Sequence, residues 1–263
     1  MGDHTLKRMC AFCGRTPVTR EHVWPDWLSE LLMARFQNVT WEVYSKTRPL
    51  RSASVLEAIV RRVCKQCNNE WMSTIETNAK PLLEPMIFGT SDSLALTPES
   101  QRFIATWAMK TMLMADFVSP TPIIPLAAYH TFFRDRLPPK NQAAIWTGAY
   151  GGPAPSLWSA LAPVTISATH SFDESGVMVR KPSTHSGTVC TLRVWHAVFQ
   201  VFLHQAYNMP AHPSALGEVI DRIWPERRDD LSWPPNGVSM DDAGVRLLAG
   251  RRGTVRYFTD SRP

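Results

Sequence analysis

Apolar residues recur at steps of three and four in two stretches of the chain. Behind Pro25, DWLSELLMARF sets Trp27, Leu28, Leu31, Leu32 and Phe36 on one side of a helix that Pro25 can open. From Glu99 onward Phe103, Ile104, Trp107, Ala108, Thr111, Met112 and Ala115 form a similar stripe, which reads as a core face, with Lys110 on the same helix read as a solvated lysine. Between these, NNEWMSTIETNAKPLLEPMIFG starts helical, with Trp71, Ile75 and Leu82 on one side, and Pro81 and Pro85 predict its end or a kink. Elsewhere the texture is that of strands. A short strand carries Arg20 to Val23, and NVTWEVY and SVLEAIVRRV read as strands joined by the polar loop SKTRPLRSA. Beyond about residue 143, AAIWTGAYGG, SLWSALAPVTISATHSF, GVMVRK and GTVCTLRVWHAVFQVFLHQ are rich in Val, Thr, Trp and Phe, with Gly and Pro between them; the last keeps a helical alternative.

These patterns predict an α+β protein. Residues 90–98 read as a linker, which divides the chain into an N-terminal unit, 1–90, and a region 91–263 with helices over about 99–137 and β structure over about 143–205. At 263 residues, 44% hydrophobic and 19% charged, the chain can bury a core and is not compositionally disordered. A net charge of +5 suits a polyanionic partner without requiring one. No apolar run is long enough for a bilayer, and MGDHTLKRMC lacks the apolar centre of a signal peptide, so the expectation is a cytoplasmic protein with no membrane partner.

A reducing compartment favours metal-bound over disulfide-bonded cysteines. Four of the five cysteines form two Cys-x-x-Cys pairs, Cys10/Cys13 and Cys64/Cys67, and tetrahedral Zn2+ is the economical reading of two such knuckles. Cys190, in TVCTLRVW, reads as a buried small hydrophobe. Thr19-Arg20-Glu21-His22 lies between the pairs, and Asn68 directly follows the last cysteine.

This order resembles the HNH (ββα-metal, His-Me finger) endonucleases, in particular the zinc-braced endonuclease VII-like type. The resemblance covers about the first third of the chain. It implies a ββα-metal unit with structural Zn2+ on Cys10, Cys13, Cys64 and Cys67, an insertion at about 26–60, and His22 as general base. Glu21 and Asn68 would hold a catalytic divalent ion, Mg2+ or another. Two departures stand out: Glu21 occupies a position more often Asp, and the gap from His22 to Cys64 is longer than in compact members.

The residue types suit phosphodiester hydrolysis independently. An imidazole exchanges protons near neutral pH, and carboxylate and amide oxygens hold a hard cation. Adjacent strand residues point to opposite faces, which predicts a bulge or strand end at Glu21-His22 if both side chains serve one phosphate. Arg20, Arg61, Arg62 and Lys65, with Lys46, Arg48 and Arg51 in the polar loop, are the basic residues near the motif and are candidates for DNA phosphate contact. A homodimer or an accessory specificity protein would be a simple route to double cleavage or selectivity. The alternative is a non-catalytic zinc module that binds nucleic acid or a protein. A third reading makes residues 99–263 the working part. His170, His185, His196, His204 and His212 have no ligand-type spacing.

Overall fold

The structure is a computed structural model that describes residues 9–36, 39–45, 48–54, 59–91, 93–119, 121–153, 156–168, 171–172, 178–179, 183–204, 211–213, 218–249 and 257–259. Lys46, His170, Arg251 and Arg252 lie outside the described residues, as do the side chains of Arg48, Arg51 and His212.

The first knuckle closes with a bond from the Gly14 amide to the Cys10 carbonyl, 2.9 Å, and Gly14 takes φ 73°, a left-handed conformation that glycine tolerates without strain. β1 (Val18–His22) and α1 (Asp26–Arg35) follow. β2 (Thr40–Ser45) and β3 (Arg48–Ser54) form a hairpin, so most of the stretch expected as a polar loop is a strand. β4 (Ile59–Cys64) returns antiparallel to β1. A helical rod then begins, made of α2 (Lys65–Cys67), a π-helical turn (Asn68–Met72) and α3 (Ser73–Phe88).

Pro81 and Pro85 neither end the rod nor divide it, contrary to the sequence expectation. Pro81 is exposed and Pro85 is half-buried, whereas Ala79, Leu83, Met86 and Ile87 are buried. The prolines thus lie away from the buried face, where carbonyls that lose a helical donor can meet water, and the packing of that face outweighs the lost bonds. Gly89, at φ 58°, closes the rod in the left-handed position.

The expected linker holds β5 (Leu94–Leu96), followed by α4 (Pro98–Asp116) and α5 (Leu126–Asp135). Thr97 caps α4, its side chain accepting from the Ser100 amide at 3.2 Å. β6 (Ala143–Tyr150), β7 (Leu157–Ala168), β8 (Ser171–Phe172), β9 (Met178–Val179), β10 (Ser183–Val194), β11 (Ala197–His204), β12 (Ala211–Pro213), β13 (Ile220–Trp224), β14 (Leu231–Trp233) and β15 (Ser239–Met240) follow in turn. α6 (Asp242–Leu248) and β16 (Tyr257–Thr259) close the chain. The strand reading of AVFQVFLHQ therefore holds over β11, and the protein is mixed α+β.

The main sheet runs β13-β6-β11-β10-β7-β2-β3, with β15 beside β6. β2 pairs parallel with β7, so residues expected as an insertion in the N-terminal unit extend the sheet of the C-terminal half. β5 pairs with β14, β8 with β9, and β12 with β16. β6 and β11 are buried at every position, because both faces of the sheet are covered. On one face Ile145, Phe199 and Val201 join the large core that also contains α3 and α4; on the other, Trp146, Val198 and Phe202 pack with Val245 and Leu248 of α6. Trp107 of α4 meets Phe199 edge-on, with ring centroids 5.6 Å apart.

α4 is buried from Ile104 to Asp116 on all sides, Lys110 included. The solvated-lysine expectation is thereby overturned: Lys110 is 2% exposed and donates to the Glu76 carboxylate of α3. Cys190 is fully buried, as expected. Among the described residues no helix is long and apolar enough to cross a membrane.

Candidate metal centre and phosphate-facing surface

Two local structures bring the cysteines together. The tight knuckle turn holds Cys10 and Cys13, and its Ala11 amide bonds to the Arg62 carbonyl of β4 at 2.9 Å, which docks the turn on the ribbon. Cys64 ends β4 in an extended conformation and Cys67 sits in the first helical turn. All four Sγ atoms lie within 4.8 Å of one another, with Cys13–Cys64 at 3.6 Å and Cys10–Cys67 at 3.9 Å.

A tetrahedral ion with Zn–S bonds of ~2.3 Å sets S···S edges of ~3.8 Å, so the four thiols fit zinc. All are free of disulfides. Burial pushes the Cys13 and Cys67 thiols up. Burial also acts to raise Cys64, but the Cys67 backbone N–H and the neighbouring thiols outweigh it and leave this thiol below its ordinary value. Four protein ligands would close the shell of such an ion, the arrangement of a structural site.

The cysteine cluster adjoins the β1–β4 ribbon. Thr19 pairs with Val63 and Glu21 with Val60, so two steps on β1 face three on β4, and the bulge lies opposite Arg20. The irregularity falls one residue ahead of the expected Glu21-His22 position, and β1 ends at His22. Alternation then assigns Thr19 and Glu21 to one face and Arg20 and His22 to the other.

Glu21 points inward. It is 9% exposed and accepts from the Thr19 hydroxyl. Burial is the main cause that lifts its carboxyl above the usual range, Asp26 adds to the rise, and the Thr19 bond, Lys110 and His22 oppose it. His22 is 35% exposed, and its Nδ1 lies 2.6 Å from Oδ1 of Asp26 in the first turn of α1. With Nδ1–H donated to that carboxylate, Nε2 keeps its lone pair for a proton.

Arg20, Arg61 and Arg62 line one shallow depression with Ile59, Val60 and Phe117. The bulge is what gathers them, since it sets two arginines of β4 against one of β1. All three are exposed, and none forms an ion pair among the described residues. Arg62 lies 5.3 Å from the Phe117 ring centroid, and Phe117 stacks on Tyr129. Lys65 is exposed at the start of α2, outside this depression.

No family model, curated protein or solved structure matches the chain.

Glu21 is turned toward Thr19, so holding a divalent ion together with Asn68 would require its side chain to turn outward. Among the described residues the four cysteines form the one convergent group of three or more His, Cys, Asp or Glu ligands. Asn68 closes the first turn of the rod and opens the π-helical turn, its carbonyl accepting from the Ser73 amide. Sequence reasoning missed Asp26, whose signal is its position four residues after His22. It also missed Lys110 and Glu76, and Arg136, whose guanidinium lies 4.4 Å from the Trp71 ring centroid and 4.0 Å from that of Phe133.

Glu21→Gln tests the inward carboxylate. Because the folded-state pKa of Glu21 is raised, the group's contribution is fully present below its unfolded value near 4.5 and is lost as pH rises through the folded value. The variant is expected to melt above wild type at pH 7, with the two melting temperatures converging near pH ~4. Calorimetry across this range checks it, and a gap that does not change with pH contradicts the burial account.

Proposed function

We propose that the chain is a zinc-braced phosphodiesterase of the HNH type that acts on DNA through its phosphate backbone. The observation that carries this reading is the β1–β4 ribbon, where a half-exposed His22 is held by Asp26 at the end of β1 and three exposed arginines are gathered by the bulge. Guanidinium groups bind phosphate oxygens in a bidentate manner and neutralise charge that would repel a nucleophile. His22 Nε2 accepts the proton of an attacking water, and the imidazole then holds that proton as an imidazolium beside Asp26. The π-helical turn at Asn68 adds support, because such turns concentrate at functional sites. A divalent ion, when bound, supplies positive charge at the leaving oxygen. Glu21 would have to leave Thr19 and turn outward to hold it.

The buried Glu21 specifically favours a second reading, in which the zinc unit binds nucleic acid and does not cleave it. Both readings need the arginines, and they differ in turnover. Binding of duplex, branched and single-stranded DNA over a range of salt concentrations, beside supercoiled-plasmid cleavage with Mg2+ or Mn2+, tests the proposal. Arg61→Gln and Arg62→Gln are each expected to weaken binding without regard to sequence and to lower the salt slope by about one. Cleavage with this salt dependence supports the nuclease reading. Binding without cleavage of any substrate supports the second, and salt-independent binding contradicts both.

A further inference from the structure

A second cationic hollow lies away from the β1–β4 surface. Trp71 of the π-helical turn, Ile75 and Asn78 of α3, Arg102 and Phe103 of α4, and Arg136 just past α5 line one cleft. Its walls are largely apolar, with two guanidinium groups set into them. Arg136 is the C-cap of α5 at φ 56°, and its guanidinium packs against the Trp71 and Phe133 rings. Its Nη1 is buried and has no hydrogen-bond acceptor among the described residues.

Among the described residues one carboxylate pairs with these guanidinium groups, and that pair faces solvent. Arg102 has Glu99 at 3.8 Å, both partly exposed, and Glu226 is held by Lys140 at 2.9 Å. Glu70 accepts from Gln66, and the Cys13 and Cys67 thiolates reach Arg136 through their field. Asn78 is exposed on α3 beside these two arginines in the cleft lining.

We propose that this cleft binds a phosphate monoester carried on a flat apolar body, a nucleoside monophosphate. Two cations match the charge of a phosphate dianion better than that of a carboxylate, and the Asn78 amide adds a third donor. Phe103, Ile75 and the edge of Trp71 supply the surface for a base. This site is separate from the His22 surface and does not depend on the catalytic reading.

The test is titration calorimetry of the zinc-loaded full chain with dAMP, deoxyadenosine and inorganic phosphate at fixed ionic strength. The expected result is saturable dAMP binding, weaker phosphate binding and no nucleoside binding. Arg102→Gln is expected to weaken dAMP at least about tenfold with unchanged zinc content, and Arg136→Gln to do the same wherever it keeps its zinc. Arg61→Gln, in the other depression, is expected to leave dAMP affinity unchanged. Absence of dAMP binding at millimolar concentration overturns the proposal. So does binding that survives Arg102→Gln, or that is lost in Arg61→Gln, which would assign the ligand to the ribbon surface.

Discussion

Stripping the metal from the four-cysteine cluster is expected to unfold the knuckle and the β1–β4 ribbon and to loosen the start of the helical rod. Structural zinc in small modules carries apparent binding free energies of ~10–16 kcal/mol, more than the stability of many domains. Here the ribbon is short, and its position depends on a turn docked through one amide bond and on two buried cysteines at 2% exposure. Phe12, between Cys10 and Cys13, meets Trp71 and Tyr129 edge-on at 5.4 and 5.5 Å, so loss of the turn disturbs the packing under α5. A chelator titration followed by near-UV circular dichroism, with released zinc measured in parallel, should show the aromatic signal collapse as zinc leaves. Cys64→Ser should reproduce the collapse at low zinc. A stripped chain with its near-UV signal and melting temperature intact contradicts the bracing role.

Lys110→Met is expected to be the most damaging single change outside the metal ligands. Lys110 is 2% exposed, and its ammonium is shared between a direct bond to Glu76 and the field at Glu21. Removing one partner of a buried pair strands the other, at a typical cost of ~3–5 kcal/mol, and the 21% exposure of Glu76 puts this case toward the lower end. For a chain of this size that corresponds to a melting temperature lower by roughly 6–15 °C. Lys110→Met with Glu76→Gln should recover part of the loss, because the stranded charge is gone and the packing remains. Calorimetry of the two single variants and the double variant measures the coupling. A Lys110→Met variant as stable as wild type would show that the pair does not hold α3 to α4.

Where a residue's role follows from local spacing, it was legible in the sequence. The two Cys-x-x-Cys turns converge, Pro25 caps α1, and the strand texture after residue 143 became the main sheet. Roles that follow from packing were not legible. Lys110 looked like a solvated lysine because the stripe around it was read as one face, yet FIATWAMKTMLMA carries no other charge, which is the mark of a helix buried on all sides. Pro81 and Pro85 looked like breakers because propensity says nothing of which side faces water. SKTRPLRSA looked like a loop because β3 is completed by its pairing with β2, a contact that composition does not encode. At the candidate site, the opposed faces of Glu21 and His22 followed from strand alternation. The gathering of Arg20, Arg61 and Arg62 depended on a bulge that lies in the partner strand.

In the proposed activity, His22 takes a proton during phosphodiester cleavage on a zinc-braced ribbon. The most direct measurement is a single-turnover nicking assay on supercoiled plasmid with Mg2+ or Mn2+, comparing wild type with His22→Ala at equal zinc content and equal DNA affinity. A general base contributes typically ~10²–10⁴-fold, so the variant is expected to nick slower by about that factor. Equal nicking rates for the two proteins, or no nicking by wild-type protein that binds the plasmid, would contradict the claim.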